Sequence, residues 1–261
     1  MGIELIKKSF FQQKVYRVNT FFELLNSVII LLVTTNIWQA LFQNRYVIDG
    51  VTFDSMVSYV IWVQVIKILI KLPVSTYVGQ RITTGAVSID LIRPVGLKFC
   101  AVSDSLGKML YSFIFVAVPM LVIGYLFWNV TFPSSVLLWV QFLVILIGSI
   151  ILYVTLEYIM GLTTFWTKTT FHIQWIIESF FTLFSGIHIP LWFYPESIKA
   201  IANLLPFRFF AYEPVNILLG NVSSKEFTSV AIMQFIWIIV MFAIERYIWK
   251  HAQMVISIQG G

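Results

Sequence analysis

VLLWVQFLVILIGSIILYVTL, residues Val136 to Leu156, carries no charged side chain. A helix needs about 20 mostly apolar residues to cross a hydrocarbon core about 30 Å thick. This run has that length. A bilayer offers no water to backbone N–H and C=O groups, so an unbroken apolar run of this kind reads as a spanning helix. Extended past Glu157 it reaches Gly161. Five further stretches read the same way: Phe21–Phe42, Phe53–Ile70, Met109–Trp128, Phe171–Ile189 and Val230–Trp249. The expected fold class is an all-α polytopic membrane protein with six transmembrane helices.

Composition agrees. The 261 residues are 59% hydrophobic and 11% charged, where a soluble domain has about 25% charged residues. Mean hydropathy is +0.88. The net charge of +5 fits basic loops held at the inner face of a membrane and gives no ground for a nucleic-acid partner. Cys100 is the single cysteine, so an internal disulfide is excluded. The opening MGIELIKKSFFQQKVYR lacks the apolar core of a cleavable signal.

Basic residues set the expected orientation. With the N-terminus inside, only Arg45, Lys199, Arg208 and Lys225 of the 17 Lys and Arg fall outside. That bias puts both termini in the cytoplasm. Trp38, Trp128, Trp139, Trp192 and Tyr194 fall near the interfaces, where aromatic anchors belong.

Three regions then lie outside the crossings. Residues 1–20 mix Lys and Arg with Phe and Ile and read as an inner interfacial segment. Residues 71–108 form a cytoplasmic loop. Residues 186–228 are external. In that external stretch Ile198, Ile201, Ala202 and Leu205 recur at helical spacing. Pro195 suits the first helical position, and Pro206 ends the helix. About ten residues rise roughly 15 Å, too little to cross. This segment, with Pro190 at its start, is either re-entrant or lies on the outer surface.

Familiar catalytic chemistry is missing. There is no G-x-x-x-x-G-K-[ST] phosphate loop, no H-E-x-x-H and no G-x-S-x-G. His172, His188 and His251 are scattered and read as interfacial or packed side chains. No metal site is expected. Glu178, with Gln174 one turn earlier, is the main ionisable group inside a predicted crossing. Such a residue marks either a translocation path or an interhelical contact.

The loop GQRITTGAVSIDLIRPVGLKF, Gly79 to Phe99, is polar between two apolar crossings. Ile82, Ala86, Ile89 and Ile92 recur at helical spacing, so a short amphipathic helix is expected over about Ile82–Leu91. Arg93 lies at its favourable C-terminal end, and Pro94 stops it. Gly85 inside such a helix costs about 1 kcal/mol relative to Ala, which points to close approach by another group.

These residues resemble a known family. The ITTGAVSIDLIRPVGLKF portion is similar to the cytoplasmic loop of permease subunits of ATP-binding-cassette exporters, the ABC type-2 family, and most like its six-helix bacterial members. FWTKTTFHIQWIIESFFTLFSGIHIPLWFYPESIKAIANLLPF resembles that family's fifth-helix and external-loop pattern, and YEPVNILLG and ERYIWKHA fit its continuation. The resemblance implies one permease domain over residues 1–261 in the bacterial cytoplasmic membrane. It implies a coupling helix between crossings two and three that docks on a cytoplasmic ATPase. Arg81, Ile82, Gly85, Ile89, Asp90, Leu91, Arg93 and Pro94 would form that joint. ATP and Mg would be bound by the ATPase, with no cofactor in this chain, and a second permease would complete the path. External re-entrant helices would cap the exit. The cargo implied is amphipathic: a peptide, an antibiotic or a lipid-like molecule. A channel or immunity protein without an ATPase is the alternative. An intramembrane enzyme is disfavoured by the missing constellation.

Overall fold

The computed structural model describes residues 2–43, 45–48, 50–92, 94–169 and 171–259; the side chains of residues 91 and 256–259 lie outside the description. Helix α1 (Gly2–Gln13) leads through a 3-10 turn at Lys14–Tyr16 into α2 (Arg17–Phe42). A small antiparallel hairpin follows, β1 (Val47–Ile48) and β2 (Val51–Thr52), with Val47 opposite Thr52. It delivers the chain into α3 (Phe53–Ile70), whose first turn is capped by Thr52 Oγ1 accepting from the Ser55 amide at 3.3 Å. The loop region then forms α4 (Val74–Thr83) and α5 (Val87–Ile92) before α6 (Leu97–Ser112). Helix α7 (Val118–Trp128) continues α6. Next come α8 (Val136–Leu162), α9 (Thr164–Thr167) and α10 (Phe171–Phe184). The chain closes with α11 (Glu196–Leu204), α12 (Tyr212–Leu218) and α13 (Ser224–Gln259).

Helix α3 is the axis of the bundle. Its residues from Met56 to Ile66 are all buried, as expected of a helix that is apolar on every side. Helices α2, α7, α8 and α12 pack around it. A second, smaller apolar cluster lies at the α4 end, built on Leu72, Val74, Val78, Leu97, Ala101 and Leu162.

The rod formed by α6 and α7 is widened by a π-helical segment, Phe113–Ala117. Pro119 explains it. Without an N–H it cannot serve the Phe115 carbonyl; the Val118 amide instead reaches back to the Phe113 carbonyl, an i→i−5 bond.

Among the described residues, five helical rods are long and apolar enough to cross a membrane: Gly2–Phe42, Phe53–Thr83, Leu97–Trp128, Val136–Thr167 and Ser224–Val255. The expected crossing over Phe171–Ile189 is shorter than the sequence reading. Helix α10 has 14 residues and ends at Phe184, a rise of about 21 Å. The chain turns there because Gly186 adopts φ +79°. Distant side chains hold the turn: Tyr59 Oη donates to the Gly186 carbonyl at 2.7 Å, and the Tyr212 amide donates to the Ser185 carbonyl at 2.9 Å.

The N-terminal segment is a helix seated on α6. Ser9 Oγ donates to the Asp104 carbonyl at 2.7 Å. A Cβ on Gly107 would sit 2.6 Å from Ser9 Cβ and 2.9 Å from the Phe10 nitrogen. Only glycine permits that approach.

The region expected to be external folds back onto the bundle. Pro190 is buried, and its carbonyl opens a 3-10 turn over Leu191–Phe193. Pro195 precedes α11 rather than occupying its first turn; its carbonyl accepts from the Ile198 and Lys199 amides, each at 3.0 Å. The expected apolar face divides. Ala202 is buried and Leu205 packs on the core, while Ile198 and Ile201 stay exposed. Pro206 begins a second 3-10 turn, Pro206–Phe210, whose Phe209 and Phe210 are fully buried. The Phe209 carbonyl accepts from Ser149 Oγ at 2.5 Å, and Ser149 is the midpoint of α8. The segment therefore descends to mid-height of the bundle. There Arg208 and Glu213 face each other with Nε–Oε1 at 3.3 Å, and Arg208 Nη1 donates to Asn203 Oδ1 at 2.6 Å. The 3.3 Å approach is an ion pair, with the Nε hydrogen off line for a hydrogen bond.

Candidate functional site

Two places gather the polar residues of this apolar chain. The first is the elbow between α4 and α5. Helix α4 packs against the C-terminal end of α8, where Gly161 makes room: a Cβ there would lie 2.7 Å from Val78 Cβ and 3.2 Å from Ser75 Cα. After Thr83 the chain breaks. Gly85 takes φ +72°, its amide closing on the Ile82 carbonyl at 3.1 Å. This left-handed residue just past a helix end is the usual glycine terminator.

The single helix expected over Ile82–Leu91 is thus two short helices with Gly85 between them. Within the chain nothing lies within 4 Å of a Cβ built at Gly85, and its left-handed backbone is itself a reason for glycine. Helical periodicity missed this because two helices across a one-turn break preserve approximate spacing.

The elbow is clamped by one ion pair. Arg81 Nε donates to Asp90 Oδ2 at 2.5 Å and Nη2 to Oδ1 at 2.6 Å, a two-pronged contact. Nη2 also reaches the Ala86 carbonyl at 3.3 Å. The Asp90 side chain is 1% exposed. Val87 turns inward, and Ile82 packs on the smaller core cluster. Ile89 is 55% exposed and Ile92 86% exposed. Pro94 is exposed beyond the end of α5. Arg93 and the Leu91 side chain lie outside the described residues.

The second place is a cavity of about 410 Å³ between α4, α8 and α10. Both residues singled out in the fifth crossing, Gln174 and Glu178, line it. Gln174 Nε2 donates to Ser75 Oγ at 2.8 Å; Ser75 in turn donates its hydroxyl at 2.5 Å and its amide at 3.0 Å to Glu157 Oε2. Glu178 stands 3.6 Å from Lys71 Nζ, both about half exposed. Phe171, Trp175 and Phe181 supply apolar wall. Sequence reading did not single out Ser75 or Lys71. The local signal was the break Lys71-Leu72-Pro73 after α3, which turns Ser75 back under α8.

Nearby, Lys98 pairs with Glu245 and lies over the rings of Tyr158 (5.4 Å) and Phe242 (5.0 Å). This ties the start of α6 to α13.

The described residues thus form an apolar helical bundle with an exposed, clamped elbow on one loop and a cavity behind it. The family model described as ABC-2 family transporter protein matches residues 28–260, and the chain belongs to that family. No curated protein matches it. It is accordingly a multi-pass membrane protein, in a family whose usual setting is the bacterial cytoplasmic membrane and whose members associate with ABC ATPase subunits.

Proposed function

We propose that this chain is the transmembrane subunit of an ATP-driven exporter, coupled to a cytoplasmic ATPase through the α4–α5 elbow. The observation that carries this reading is the elbow itself. Ile89 and Ile92 are exposed on a segment held rigid by Arg81 and Asp90. An apolar tip on a braced support suits transmission of a partner's motion. The absent phosphate loop fits an energy source in a separate subunit, which would bind ATP and Mg.

The reading has six crossings, with α10 as the fifth, and both termini in the cytoplasm, following the bias of Lys and Arg. The descent of Pro206–Leu218 to mid-height favours the re-entrant form of the external segment. Trp175, Ile176 and Leu183 of α10 are exposed; a second permease, identical or related, would cover them and complete the path. The cavity at Glu157, aromatic on one wall and polar at its floor, suits an amphipathic cargo.

Purification of the chain from its native membrane tests this. A cassette ATPase is expected to co-purify, and its hydrolysis to rise in the complex. An active transporter lacking any such subunit would overturn the proposal and favour an ATPase-independent channel.

A further inference from the structure

A separate cavity, of about 360 Å³, lies between α2, α3 and α6. It is bordered by three lysines: Lys67 of α3, Lys71 just past the end of α3, and Lys108 of α6. Their placement is costly. Gln64 and Lys67 fall one turn apart on α3, and Lys71, its C-cap, follows Lys67 by four residues; all three line the cavity. Lys67 and Lys71 are one turn apart, where like charges repel.

The neighbouring charges answer this only in part. Lys71 has Glu178 of α10 at 3.6 Å, and Lys108 has Asp104 at 2.7 Å. Neither carboxylate lines the cavity. Among the described residues no carboxylate is within ion-pair distance of Lys67. Glu23 of α2 is the acidic group at the rim, where it accepts from Ser112 Oγ at 3.4 Å. The lining therefore holds three ammonium groups against one carboxylate, and an ammonium at membrane depth needs a counter-charge.

We propose that this cavity binds the phosphodiester headgroup of an anionic membrane phospholipid, with Lys67 as its main ligand. The cavity holds a headgroup and not a whole lipid. Next in sequence to the lining residues Asn26, Ile30 and Met109, the apolar Leu25 and Ile29 of α2 and Leu110 of α6 are exposed by more than two fifths each. Acyl chains have a place to lie there, which a free phosphate would not use. A basic pocket between helices on the cytoplasmic side is the physical form that anionic headgroups seek. The assignment to the inner leaflet rests on the orientation proposed above. Lys71 and Pro73 border both cavities, so a bound headgroup would sit directly behind the root of α4.

The test is native mass spectrometry of the full chain, with any co-purified ATPase, released from phosphatidylcholine nanodiscs doped with phosphatidylglycerol. Phosphatidylglycerol is expected to be retained over phosphatidylcholine. Lys67→Gln should lower that retention about fivefold, and Lys67→Arg should keep it. Glu23→Gln should raise it, a gain that misfolding cannot mimic. Equal retention of the two lipids, or a Lys67→Gln variant that matches the parent, overturns the proposal. So does thermal stabilisation by inorganic phosphate equal to that by phosphatidylglycerol, which would mark a free-anion site. A chain that recruits no ATPase would sink the exporter reading and leave the lipid measurement intact.

Discussion

Asp90 faces Arg81 across the α4–α5 break, accepting from Nε at 2.5 Å and Nη2 at 2.6 Å while its own side chain is 1% exposed. Asp90 is therefore turned into the protein and away from any docked partner. Its contribution to coupling would come through the geometry of the elbow, with Ile89 and Ile92 presenting the outer surface.

Removing one partner of such a pair leaves the other unpaired, a loss of about 3 kcal/mol for buried pairs. Asp90→Ala is expected to loosen the elbow and reduce transport-linked stimulation of the ATPase, with the chain still inserted. The exchange Arg81→Asp with Asp90→Arg should recover part of the loss. ATPase assays on the purified complex check both; full stimulation in Asp90→Ala would remove the clamp from the mechanism.

Ile89 and Ile92 contribute little to the protein's own core because they are exposed. Ile89→Glu with Ile92→Glu should leave thermal stability within about 0.5 kcal/mol of the parent. ATPase co-purification should fall about tenfold, the scale of losing one well-placed apolar contact. Quantified pull-down alongside a melting curve separates the two effects, and undiminished capture would place the docking surface elsewhere.

Gly85 has a φ of +72°, and no group of its own chain crowds it. Gly85→Ala should cost about 1 kcal/mol from the left-handed backbone. Gly85→Asn should be milder, since Asn tolerates that region. A crowded glycine would give the reverse order of harm by size, so comparing Ala, Asn and Leu at this position by thermal stability distinguishes the two causes.

Glu178 and Glu157 line one cavity but differ in what depends on them. The Lys71–Glu178 pair is half exposed on both sides, so Glu178→Gln is expected to change stability by less than about 1 kcal/mol. Glu157 accepts both the amide and hydroxyl of Ser75; Glu157→Ala should cost about 2–3 kcal/mol by stranding those donors. Chemical denaturation in detergent measures both. A transport defect in Glu178→Gln at normal stability would assign that residue to the path.

The bundle was largely legible in the chain because hydropathy is a local property. Phe53–Ile70 is the helix that the apolar run outlined, and α8 begins at Val136, where the quoted stretch starts. Pro206 ended α11 as a missing donor must. The expected fifth crossing was drawn too long because apolar residues continue past Phe184 to Ile189, and apolarity does not register a turn. That turn comes from Gly186 and from Tyr59 and Tyr212, which are distant in sequence.

Amino-acid order by itself determined which segments leave water and which loops stay polar, since burial of apolar side chains and avoidance of unsatisfied backbone groups operate residue by residue. The tertiary structure decided where polar side chains meet. The bond of Arg81 to Asp90 needed the break at Gly85; the chain from Gln174 through Ser75 to Glu157 needed α4 folded beneath α8; the three lysines needed α3 and α6 side by side. Hydrogen bonds and ion pairs act over a few ångströms, and only packing brings residues that far apart in the chain within that reach.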